Sequence, residues 1–227
     1  MHDLTGEVAF ITGGAGVLCS RFSRVLSAAG ARVVLMDRDL ARAESVAASI
    51  REEGGEAWAV RTDVLDRHAL EEACREAERL AGPCTVLVNG AGGNHPGGTT
   101  TGETCRAEPD GQSVDRPGSF FRLAPEGVRF VLDLNFTGTF LATQVVAAGM
   151  ADRGKGVILN ISSMNAFRPL TRIPAYSAAK AAVSNLTQWM AVHLAPCGIR
   201  VNAMAPGFFI GDQNRGLLYD EAGNPTP

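Results

Sequence analysis

No uninterrupted apolar run in this chain approaches the roughly 20 residues of a membrane span. The longest, such as "VAFI" and "VILNI", are strand-sized. Neither sign of charge dominates. Twenty-one basic residues, dispersed along the chain, stand against 24 acidic ones, a net charge of −3, so no basic field points to nucleic acid or to an anionic membrane. Aromatics are scarce at 6%. The five cysteines, at 19, 74, 84, 105 and 197, are odd in number, and no pair has metal-ligand or redox spacing. They read as reduced thiols, with no metal site. There is no internal repeat, low-complexity tract or dividing linker. The opening "MHDLTGEVAFITGG" enters a strand without a basic-then-apolar leader, which reads as cytoplasmic. What remains is an ordinary globular composition, 45% hydrophobic over 227 residues, sized for one α/β domain over residues 1–227.

Strand-like and helix-like segments alternate. "EVAFIT" (7–12), "ARVVLMD" (31–37), "EAWAV" (56–60), "TVLVN" (85–89), "GVILNIS" (156–162) and "IRVNAMA" (199–205) are near-continuous apolar runs, suited to a parallel sheet covered on both faces. Amphipathic stretches at about 17–29, 39–53, 66–81, 126–151 and 174–195 predict helices. Gly30, Gly54 and Gly82 follow three of them, where a left-handed residue ends a helix. Five such alternations predict an α/β fold, a doubly wound parallel sheet with helices on both faces. One segment breaks the rhythm. Residues 93–125, rich in Gly, Pro, Thr and acids, form a long insert after the fourth strand, at the end where open α/β sheets bind ligands.

The turn "ITGGAGVLCS" joins the first strand to the first helix. Gly13, Gly14 and Gly16 let backbone come close to a pyrophosphate, and the helix N-terminus at Val17 and Leu18 offers free N–H groups to the anion. Asp37 ends the second strand about twenty residues on, where a carboxylate accepts from ribose hydroxyls and repels a 2′-phosphate. The expected cofactor is therefore NAD(H) in preference to NADP(H), with Arg38 beside Asp37 weakening the preference. Tyr176 and Lys180, four apart in "YSAAK", share a helix face among small residues. A phenol ionises near 10, and a nearby ammonium favours the phenolate, bringing proton transfer towards neutral pH.

With these residues in hand, the sequence resembles the short-chain dehydrogenase/reductase family from about residue 5 onward. The matching pieces are "TGGAGVL" (12–18), "NGAG" (89–92), "DLN" (133–135), "NISS" (160–163), "YSAAK" (176–180) and "NAMAPG" (202–207). The resemblance implies a Rossmann-type fold and a catalytic set of Ser163, Tyr176, Lys180 and Asn135, with Asn135 holding a water that links Lys180 to solvent. It also implies that Asp63 and Val64 meet the adenine, that Asn89, Gly90 and Ala91 support the cofactor alongside Tyr176 and Lys180, and that Pro206 and Gly207 lie near the nicotinamide. A homodimer or homotetramer through the helices at 126–151 and 174–195 is expected by the same likeness. Within the family, "VNGAGGNHP", "NISSMNAF" and "APGFF" look like the D-mannonate oxidoreductases, which reduce D-fructuronate with NADH. Asn94, His95, Asn165, Arg168, Arg172, Gln213, Asn214 and Arg215 suit a small anionic sugar acid, since Arg grips carboxylates and amides suit a polyol. The alternatives are another keto-sugar acid, such as a ketogluconate, or a dinucleotide-binding protein with impaired catalysis.

Three departures from the family pattern set further expectations. Cys19 stands where relatives have the last cofactor-loop glycine, so a slight shift or weaker cofactor binding is expected. Gly211 replaces a threonine. Relatives continue past "DEAGNPTP" through a C-terminal helix and a last strand, so the chain is expected to end early and to leave the sixth strand as an exposed edge.

Overall fold

The structure, a computed structural model, describes residues 3–105 and 113–209 together with Gly223. Gly211, Gln213, Asn214, Arg215 and the middle of the insert lie outside the described residues.

Six strands, β1 (Val8–Thr12), β2 (Arg32–Asp37), β3 (Ala57–Arg61), β4 (Val86–Asn89), β5 (Gly156–Ile161) and β6 (Ile199–Met204), form one parallel sheet in the order β3-β2-β1-β4-β5-β6. The order reverses between β1 and β4. There the loops that follow the strands part, opening the crevice where doubly wound sheets take their ligands. The register sets Thr12 beside Asn89 and Asn89 beside Asn160 at that rim.

Side chains alternate across the sheet. Phe10, Val34, Leu87 and Ile158 face one layer, made of α3 (Arg67–Ala81), α5 (Gly138–Asp152) and α6 (Pro174–His193). Ile11, Val33, Leu35 and Val88 face the other, made of α1 (Val17–Ala28) and α2 (Leu40–Glu52). Small buried residues let the helices sit close: Ala43 and Ala47 on α2, Ala73 and Ala77 on α3. Asp39 and Asp66 cap α2 and α3 by accepting from Arg42 N and from His68 N and Ala69 N. Gly30, Gly54 and Gly82 take positive φ, as expected of helix ends.

Two findings depart from expectation. The helix predicted over 126–151 is three pieces: α4 (Pro125–Leu132), a π turn at Asp133–Thr137, and α5. Taken as one run, 125–152 is long and apolar enough, by length and composition, to cross a membrane, and 44% of its most apolar window is buried inside the fold. Counting uninterrupted apolar residues overlooks this run because Arg129 and Asp133 interrupt it. Its packing against α3 and α6 makes it a core helix of this fold. The described part of the insert, in turn, is tied down. Gly98 packs between Val131 and Ala175, Thr100 N donates to Arg172 O at 2.8 Å, and Arg172 Nε donates to Thr100 O at 3.1 Å. Among the described residues β6 is the last strand of the sheet, with Arg200, Asn202 and Met204 exposed.

Candidate active site

The turn after β1 is shaped by the lack of side chains. Gly13 takes φ +64°, and a Cβ there would stand 2.8 Å from the backbone of Ala91. A Cβ on Gly14 would stand 2.8 Å from Leu35 Cα. Gly16 precedes α1 with no side-chain cap, so the helix's first N–H groups stay free for an anion. Asp37 ties this turn to β2: its Oδ2 accepts from Ala15 N at 2.9 Å and its Oδ1 from Asp39 N at 3.0 Å. Thr12 Oγ1 accepts from Gly90 N and Ala91 N at 3.1 and 3.2 Å, binding the turns after β1 and β4 together. Val17 and Leu18 are half-buried on the first turn of α1, Arg38 and Asp63 are exposed, and Val64 is buried. A side-chain-free cradle, an uncapped helix N-terminus and a carboxylate at the end of β2 fit a dinucleotide.

Cys19 is buried, and burial pushes its thiol up to about 12. It fits because position 90 is glycine, where any Cβ would collide with its Sγ. The room for the thiol is thus left by the missing side chain on the opposite wall.

Across the crevice, Ser163 stands near Tyr176 and bears on its phenol, favouring the ionised form. Lys180 is 4% exposed, with Nζ 5.6 Å from the Tyr176 ring centre. The ammonium donates to Ile161 O at 2.7 Å. Burial lowers Lys180 to about 8. It raises the Tyr176 phenol, and the Ser163 hydroxyl pulls the other way. Burial is the larger influence on the phenol, so no net lowering is found while the ammonium rests on the Ile161 carbonyl. Asn135 lies in the π turn, fully buried. Its Nδ2 donates to Gly93 O and Val131 O, and its Oδ1 accepts from Gly93 N. Its amide thus clasps the start of the insert. Gly92 fits in the gap, since a Cβ there would lie 2.6 Å from Asn135 Oδ1 and 3.2 Å from Lys180 Nζ.

Of the substrate-side candidates, Asn165 lies by the catalytic group. Asn165 is buried, its N–H donates to Ser163 Oγ at 3.2 Å, and its Oδ1 has no partner. Arg172 serves the insert, as above. Asn94 Nδ2 donates to Thr99 Oγ1 at 2.8 Å, and His95 Nδ1 accepts from Gly97 N while its ring rests 4.9 Å from Phe130. These contacts use those groups within the loop itself. Arg168 is exposed. Pro206 O accepts from Met164 N at 2.9 Å, which brings the Pro206–Gly207 turn beside Ser163. Residues absent from the sequence-based set include Thr12, Gly92, Ser162 and Ser184. Thr12, Gly92 and Ser162 lie within the quoted "TGGAGVL", "NGAG" and "NISS"; no local signal marks Ser184.

Comparison with known proteins agrees with this geometry. Residues 7–221 match the short chain dehydrogenase family model. An uncharacterized oxidoreductase of Haemophilus influenzae is 44% identical over 225 residues, 99% of this chain and 78% of that protein. A Haemophilus protein proposed to be a D-mannonate oxidoreductase, solved with NAD bound, superposes with TM-score 0.91 at 45% identity, over 99% of this chain and 79% of that one. A gluconate 5-dehydrogenase from Burkholderia cenocepacia, in complex with NADP and tartrate, superposes with TM-score 0.81 at 31% identity, over 97% and 78%. The chain carries a nicotinamide-dinucleotide fold and the chemistry of an oxidoreductase, and it belongs to the short-chain dehydrogenase family.

Proposed function

We propose that this chain acts as one NAD(H)-binding unit that interconverts a keto-sugar acid and its alcohol, D-fructuronate and D-mannonate, using NAD(H) in preference to NADP(H). The observation that carries the reading is the meeting of Ser163, Tyr176 and Lys180 at the rim beside the glycine cradle. The substrate carbonyl oxygen sits between the Ser163 hydroxyl and the Tyr176 phenol. Ser163 donates a hydrogen bond that orients it, and Tyr176 gives its proton to that oxygen during reduction. Lys180 stabilises the phenolate left behind, and Asn135 fixes the Gly92–Gly93 turn over the ammonium. The nicotinamide, when bound, supplies the hydride. Gly13, Gly14, Gly16, the first turn of α1 and the Asn89–Ala91 turn hold the pyrophosphate and ribose. Asp37 meets the adenosine ribose, Asp63 and Val64 the adenine, and Pro206–Gly207 the nicotinamide.

The NAD-bound relative supports the cofactor preference, as does a carboxylate, Asp37, at the end of β2 beside the glycine turn. The unpaired Asn165 amide beside Ser163 supports a hydroxyl-rich substrate. The outer faces of α5 and α6 expose Phe140, Trp189 and Val192, which supports a homodimer or homotetramer. Five free cysteines support a reducing, cytoplasmic setting. A ketogluconate is the second reading, favoured by the gluconate 5-dehydrogenase likeness. The test is NADH oxidation with D-fructuronate and with 5-ketogluconate, followed by absorbance. Turnover of D-fructuronate that disappears in Tyr176→Phe is expected; turnover of 5-ketogluconate alone gives the second reading its place.

A further inference from the structure

We propose that Ser162 and Ser184 are positioning residues that hold Lys180 in register with Ser163 and Tyr176, as a hydroxyl clasp between the end of β5 and the middle of α6. This rests on the oxidoreductase reading above. Lys180 is gripped at both ends, by the last residue of β5 and by the residue after it. Its Nζ donates to Ile161 O at 2.7 Å, and its main-chain carbonyl accepts from Ser162 Oγ at 3.1 Å. Ser184, one turn further along α6, donates to the same carbonyl at 3.1 Å, and the two hydroxyls lie 2.6 Å apart. The next residue, Ser163, bears on the Tyr176 phenol. Residues 161, 162 and 163 therefore fix in turn the ammonium, the backbone of the lysine, and the proton donor's partner.

The two serines have two hydroxyl protons for three contacts. One proton always reaches the Lys180 carbonyl, and the other goes either to that carbonyl or to the neighbouring hydroxyl. In both arrangements the turn of α6 carrying Lys180 stays tied to β5. Ser162, Ser184, Thr187 and Val201 border a cavity of about 270 Å³ between α6 and β6. The titratable groups bearing on the ammonium are Tyr176 on its own helix and Cys19 from α1. β5, the Gly92 turn and the π turn present carbonyls, hydroxyls and the Asn135 amide.

The experiment compares Ser162→Ala, Ser184→Ala, the double variant and Ser162→Thr with the parent chain. kcat and KM are read with D-fructuronate and NADH. Phenol ionisation is read by ultraviolet titration in a Tyr219→Phe background, which leaves Tyr176 as the one tyrosine of the chain's two. The double variant is expected to lose roughly ten- to a hundredfold in kcat, since a displacement of about 1 Å costs on that order, with KM changed less than about twofold. Its phenol midpoint is expected to rise by roughly one unit as the ammonium drifts. Ser162→Thr keeps the hydroxyl and is expected to keep both values. The proposal is overturned if the double variant melts earlier while its kcat and phenol midpoint match the parent's. If the parent turns over no D-fructuronate, the substrate reading fails, and the phenol titration alone still decides for or against the clasp.

Discussion

Around β1 and β2 the crevice wall is backbone, and around β5 and α6 it is side chain. On the first side Gly13 and Gly14 leave no room for a Cβ, and the N–H groups of α1 stand uncapped. On the second, Ser162, Ser163, Tyr176 and Lys180 do the positioning through hydroxyls, a phenol and an ammonium. The cofactor wall works by exclusion: almost any added atom is wrong there. The chemistry wall works by presence, and single atoms must be supplied at fixed places. Substitutions should therefore separate by kind, with additions damaging the first wall and deletions the second.

The largest effect is expected from a deletion. Tyr176→Phe removes the proton donor and should lower kcat by about 10²–10⁴-fold, with the NADH Kd unchanged by fluorescence titration. Turnover near the parent's would remove Tyr176 from the chemistry and collapse the contrast. An addition on the other wall comes next. Gly13→Ala combines a left-handed backbone, costing about 1–2 kcal/mol, with a clash against Ala91. NADH affinity should fall by roughly tenfold or more, with kcat at saturating NADH nearly kept. A loss confined to kcat would mean that the two walls are not separable. Asp37→Ala is smaller and sharpens the cofactor reading. It loses a charged acceptor worth about 1.5–3 kcal/mol and the tie to Ala15 N, so NAD should weaken while the ratio of NADP to NAD affinity climbs. An unmoved ratio would show that the carboxylate only braces the glycine turn.

The smallest effect is on stability against pH. Lys180 sits at about 8, below the unfolded value of about 10.4, so the cost of burying it is carried in full below pH 8 and eases as pH rises towards 10. Cys19 and Cys74, raised to about 12 and about 11, run the other way. Their contribution is complete below about pH 8.5, where an unfolded thiol stays protonated, and is lost as pH climbs to 11–12. Denaturant midpoints should hold or rise just above pH 8 and fall beyond pH 9. In Lys180→Met the early rise should vanish and the later fall remain. A rise that survives in that variant would point to another group.

Legibility in the sequence follows the same division. All six strands lie within a residue of their expected bounds, since apolar runs and terminal glycines are local signals. The glycine turn and the Tyr176–Lys180 spacing are local as well. The π turn was not legible: the feature that accompanies it, the Asn135 amide on Gly93, joins residues 42 apart in the chain. The Ser162–Ser184 pair spans 22 residues and Lys180 to Ile161 spans 19. Cys19 looked like a defect when read against neighbouring glycines, because its compensation, Gly90, sits on another strand's turn.

That compensation makes Cys19 a gauge. Its sulfur is wedged between the first helix and the turn after β4, and no reagent reaches it while the two stay together. The rate at which a thiol reagent labels it, after exposed Cys105 and half-buried Cys197 have been blocked, therefore counts how often the cradle opens. A dinucleotide that bridges those two turns would slow that clock, so a single native atom can time the breathing of the binding site.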